Sequence, residues 1–138
     1  EIEAAIAGWN ARYDRVAGHL AKSPAIRLPK RPEAETYVGS SIQFRLPGIS
    51  RARAKAFVAV LAAVGVEVKW FGGAEPVGFT SDHHSWRYVA AQDLPRTDAI
   101  LAGLFDMRLP LTFSLSDCDL LADHILSAVA ALQHGETA

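Results

Sequence analysis

Hydrophobic residues recur along this chain at two periods, and each period predicts an element. Ile2, Ile6, Trp9, Tyr13, Val16 and Leu20 are spaced by alternating steps of four and three, which draws one apolar stripe down a helix over residues 1–21. The stripe is too short for a coiled coil, so it is expected to pack on the rest of the domain. Pro24 disfavours helical geometry at Ser23 and ends the helix. Residues 24–36 hold Pro24, Pro29 and Pro32 and read as an extended linker or a sheet-edge segment. The organisation expected is one domain over 1–138, opening with a linking helix at 1–22 and an extended linker segment at 23–39.

From Ser40 the period falls to two. Ile42, Phe44 and Leu46 alternate with Ser41, Gln43 and Arg45 as in a half-buried strand. Pro47-Gly48 breaks it, and Ser50 stands where an N-cap belongs, ahead of a helix from Arg51 to Val64 expected to bury Phe57, Val58, Leu61 and Val64. Arg51, Arg53 and Lys55 near that helix's start oppose its dipole, which invites a functional reason for them. Gly65 is a C-terminal stop. Val66, Val68 and Trp70 alternate with Glu67 and Lys69 as a second strand. Residues 72–84, with Gly72, Gly73, Pro76 and Gly78, form a loop long enough to be functional in a compact domain.

Trp86, Tyr88 and Ala90 predict a third strand. Thr97 is the expected cap of a short helix carrying Ile100, Leu101, Leu104 and Phe105, and Met107 to Leu111 form a short extended segment. Ser116 with Asp117 and Asp119 opens a last helix running to about Gln133. This order predicts an α+β domain: a small antiparallel or mixed sheet of three to four strands, covered by helices on one face, with a long N-terminal helix. Its inner strand–helix–strand–strand–helix piece resembles half a ferredoxin-like sandwich.

Composition narrows the function classes. In 138 residues, fourteen Lys and Arg against fifteen Asp and Glu leave a net charge of -1, without the basic surplus of a nucleic-acid binder or of a protein steered to anionic membranes. No apolar run is long enough to span a bilayer. No basic-then-apolar leader precedes the first helix, so a cytoplasmic location is the expectation. The chain opens at Glu1 already inside a helical pattern, as expected of a piece of something longer and equally of a chain with a trimmed tag or an omitted disordered start.

The common catalytic constellations are absent. The sequence holds no glycine-rich phosphate loop, no Gly-x-Ser-x-Gly elbow and no His-Glu-x-x-His helix. His83 and His84, beside Asp82, are either polar loop residues or ligand contacts; on a strand, neighbouring histidines point to opposite faces and do not share one metal ion, so no metal is expected. The sole cysteine, Cys118, near the start of the last helix, has no neighbouring base and reads as structural. Trp70-Phe71-Gly72-Gly73 reads either as core and turn or as a wall of a ligand cleft. Arg45 and Arg87 are either solvent-facing strand residues or anchors for a carboxylate or phosphate. His19 and His124 lie on helices as surface or interface residues, and no lysine has the context of a Schiff-base nucleophile.

Two stretches resemble the C-terminal small domain of the DegT-type aminotransferases, fold-type I enzymes that use pyridoxal phosphate. The first runs from Ser41 to Gly48 and on from Arg51 to Val66, similar to the family's strand, arginine-started helix and Leu-x-x-x-Gly-[Ile/Val] step. The second is Asp93-Leu94-Pro95-Arg96-Thr97, then Leu109-Pro110-Leu111 and Leu115-Ser116-Asp117, similar to the family's proline-started helix, Leu-Pro-Leu segment and Leu-Ser-x-x-Asp opening.

The resemblance implies a fragment of a larger, homodimeric enzyme that takes small-molecule amino donors and acceptors. Pyridoxal 5'-phosphate and the cofactor lysine then belong to an N-terminal large domain absent from this chain, and no cofactor or catalytic residue is expected here. The chain would form one wall of the substrate cleft, with Trp70, His83, His84 and Arg87 nearest the substrate. Where family members often carry an aromatic residue followed by Pro and His, this chain has Trp70-Phe71-Gly72-Gly73-Ala74, so a sugar substrate does not carry over. Two other classes fit the element order. One is a stand-alone ferredoxin-like small-molecule-binding or regulatory module. The other is an interaction domain dimerising through the first helix.

Overall fold

The computed structural model describes residues 1–77 and 82–135. Part of the loop predicted over residues 72–84 therefore lies outside the described residues. The elements run α1 (Ile2–Leu20), β1 (Ser41–Arg45), α2 (Arg51–Ala63), β2 (Lys69–Trp70), a 3₁₀ turn (His83–Ser85), α3 (Pro95–Leu101), β3 (Leu104–Arg108) and α4 (Leu115–His134). The fold is α+β with a three-stranded antiparallel sheet in the order β1-β3-β2.

Register explains the two faces of the sheet. Ile42 pairs with Met107 and Phe44 with Phe105, and all four are buried toward the helices. Gln43 pairs with Asp106, which also pairs with Lys69 on the other side, so the opposite face is polar; the Gln43 side-chain amide donates to the Asp106 carboxylate across it. Phe44 stacks on Phe105 with ring centroids 5.5 Å apart, and Phe57 of α2 meets Phe105 edge-on at 5.0 Å.

The helix ends follow local chemistry. Ser50 accepts from the Arg53 N–H at the start of α2, as expected, and Gly65 follows that helix at φ +82°. The last helix begins earlier than expected. Its N-cap is Ser114, not Ser116, with Asp117 returning the bond in a capping box; the Ser114 hydroxyl, and after it the Ser114 N–H, donate to the Asp117 carboxylate and lower it below its ordinary range.

The predicted linking helix packs along α4. Arg15 grips the Asp119 carboxylate with two bonds of 2.6 and 2.7 Å, and His19 Nε2 lies 2.8 Å from the same group. The hydrogen bond from Arg15 is the main reason the Asp119 carboxyl is held down to about 2. The segment after α1 does include an edge contact: Arg27 exchanges two backbone bonds with Arg45, of 2.9 and 2.8 Å, beside β1.

Three further sequence expectations fail. Trp86, Tyr88 and Ala90 form no strand; the chain turns there, with Trp86 44% and Tyr88 85% exposed. Aromatic alternation makes a strand only where a neighbouring edge accepts it, and the sheet's central place is taken by β3. Leu104 and Phe105, expected on the third helix, open that strand instead, because burying Phe105 between Phe44 and Phe57 outweighs the local helical spacing. The second strand is also shorter than its pattern: Val66 and Val68 are buried, but only Lys69 and Trp70 pair.

Candidate functional site

Trp70 stands half-buried at the end of β2, an edge strand. Its indole N–H donates to the Ala102 carbonyl at 2.9 Å, tying β2 to the end of α3. The indole also covers Gly72, where an added Cβ would meet the ring at 2.8 Å, so any larger residue there would have to displace the indole. From the first residue of α2, the Arg51 guanidinium lies 5.8 Å from the centre of the same ring. One of the cations that opposed the helix dipole in the sequence thus has a partner in the tertiary structure.

Beside this edge, the 3₁₀ turn is built on Asp82, the one buried charged residue among the described residues. Its side chain accepts from the His84 N–H at 3.0 Å, and its carbonyl accepts from the Ser85 hydroxyl at 3.0 Å. The turn folds the rings of His83 and His84 onto one side, with centroids 4.1 Å apart. His83 Nε2 lies 2.7 Å from Asp98 Oδ1 in the first turn of α3. His84 Nδ1 lies 3.3 Å from Asp82 Oδ1 and 3.9 Å from Asp98 Oδ1. The expectation that these histidines face apart is therefore corrected: it rested on a strand, and the residues form a turn.

Arg51, Gly72, Asp82, His84 and Asp98 line a small cleft of about 250 Å³. Arg51 and Trp70 also border a larger groove of about 630 Å³ with Lys55, Glu67, Lys69 and Glu75. Of the four residues predicted from sequence, His83 and His84 come together, and Trp70 joins them through Gly72 and Arg51. Arg87 is exposed in the turn that follows and does not line the cleft. Arg45 also lies elsewhere, on β1, with its Nε enclosed and without a hydrogen-bond partner among the described residues. Cys118 is buried, and burial is the main cause pushing its thiol up, which suits the structural reading.

The residue missed altogether is Asp98. An aspartate in the first turn of a helix is ordinary dipole chemistry, so nothing in its sequence context marks it.

No known family pattern and no curated protein matches the sequence. Solved structures do match the fold. An aminotransferase, TlmJ from Streptoalloteichus hindustanus, is similar over 92% of this chain at 17% identity and a TM-score of 0.74. DesI, solved in the presence of its TDP-sugar product, is similar over 98% of this chain at 15% identity and a TM-score of 0.71. A DegT DnrJ EryC1 StrS aminotransferase from Brucella abortus is similar over 91% at 12% identity and a TM-score of 0.63. The chain spans about a third of the length of these proteins, 32%, 34% and 31% respectively. The fold expected from the resemblance is thus the fold that part of each of these proteins shares with this chain.

Proposed function

We propose that this chain is the small domain of a DegT-type, pyridoxal-phosphate-dependent aminotransferase and forms one wall of its substrate cleft. The observation that carries the reading is the fold shared over nearly the whole chain with part of three solved structures, among them the aminotransferase TlmJ and the DegT DnrJ EryC1 StrS aminotransferase. The sequence motifs fall in supporting places: Arg51 starts α2, Pro95 starts α3, and Leu109-Pro110-Leu111 leads into the capped α4.

Bound pyridoxal phosphate supplies an electron sink for moving an amino group. The residues here do not fit a cofactor pocket of their own. That pocket needs a desolvated lysine, whereas Lys22, Lys30 and Lys55 are exposed and Lys69 is half-buried on the polar face of the sheet. The proposal therefore assigns the cofactor to the large domain of a homodimeric parent. In this chain, Arg51 offers a guanidinium to an anionic group of the amino donor or acceptor, and Trp70 offers a flat apolar wall beside it.

The test is to express the complete reading frame that contains this chain. A longer polypeptide with a borohydride-sensitive visible absorbance is expected, and Arg51→Ala in it should raise KM for one substrate about tenfold. A reading frame encoding this chain alone, with no absorbance after adding pyridoxal phosphate, overturns the reading and favours a ligand-binding module.

A further inference from the structure

We propose that His83, His84 and Asp98 form a binding site for a divalent transition-metal ion of the zinc class. Their ligand atoms, two imidazole nitrogens and a carboxylate oxygen, all lie within 4.8 Å of one another. A tetrahedral zinc ion with bonds of about 2.0–2.1 Å needs ligand atoms about 3.3 Å apart. The separations here, 2.7 Å from Asp98 Oδ1 to His83 Nε2 and 3.9 Å to His84 Nδ1, bracket that spacing. The two imidazole nitrogens lie within 4.8 Å of each other, so side-chain adjustment at the exposed His84 closes the set around an ion.

Two features mark the cluster as built. The His83 side chain is only 10% exposed, so its ring is held by its surroundings. Asp82 sets the direction of the turn through the His84 N–H and the Ser85 hydroxyl, which makes it a positioning residue. Without an ion, the His83 Nε2–H donates to Asp98; metal binding at Nε2 takes the neutral ring's other tautomer, with the proton on Nδ1 instead. Two imidazoles with one carboxylate prefer zinc, cobalt or nickel to magnesium or calcium, whose sites are made of oxygens. Three protein ligands leave a fourth position for water, and His84 and Asp98 both line the cleft beside Arg51. The site stands on these distances and is independent of the aminotransferase reading.

The test titrates this chain with Zn²⁺ by calorimetry, and with Co²⁺ by visible absorbance, in a non-chelating buffer. One equivalent of Zn²⁺ should bind, and Co²⁺ should show the intense visible bands of a four- or five-coordinate ion. His84→Ala and Asp98→Asn should each weaken binding about 100-fold or more, since changes even to supporting residues cost 10–100-fold. His84 is exposed, so His84→Ala is expected to keep the fold, which circular dichroism of the metal-free variant checks. His19→Gln removes a histidine–aspartate pair remote from the cluster and should leave binding unchanged. Absence of heat and colour at millimolar metal overturns the proposal, as does binding that survives both His84→Ala and Asp98→Asn.

Discussion

At the scale of single residues, Asp119 carries the clearest pH dependence. The Arg15 guanidinium holds its folded-state carboxyl at about 2, below the ordinary value of 3.8. A carboxylate depressed on folding adds stability above its unfolded value, and that contribution disappears as pH falls through the folded value. The thermal midpoint is therefore expected to fall between about pH 4 and pH 2, and more steeply in the parent than in Asp119→Asn. Parallel slopes for the two proteins would show that Asp119 does not tie α1 to α4. The candidate site shows how far single residues could be read. His83, His84 and Trp70 are conspicuous because histidines and tryptophans are chemically distinctive in a glycine-rich loop. Asp98 is fifteen residues from its partner His83, and no short-range pattern connects them.

At the scale of elements, boundaries follow from hydrogen-bond chemistry within a few residues. Ser114→Ala removes the cap of α4 and should cost about 1 kcal/mol in chemical denaturation. Ser116→Ala, at the position the sequence pattern favoured, should cost clearly less; equal losses would count against the capping box. The misplaced cap has a physical cause: Ser114 and Ser116 both precede the apolar run, and only the path of the chain out of Pro110 decides which hydroxyl meets the Asp117 N–H. The lost third strand has another. Alternation at Trp86 and Tyr88 records a possible strand, but a strand also needs a partner edge.

For the molecule as a whole, stability centres on Phe44, Phe57 and Phe105, where β1, α2 and β3 meet. All three are essentially inaccessible. Phe105→Ala should cost about 3–5 kcal/mol in urea denaturation, a large part of the 5–15 kcal/mol typical of a domain. A loss below about 1 kcal/mol would contradict the central place given to β3.

The amphipathic first helix, the strand from Ser41, the capped helix from Arg51, the long last helix and the one-sided α+β layering were all legible along the chain. These depend on spacing and on caps that act over three or four residues. The tertiary structure decided that residues 104–108 pair between β1 and β2, that residues 86–90 stay outside the sheet, and that Asp98 meets His83 and His84. Those outcomes depend on which distant segments win the same buried surface, a competition that no local period records.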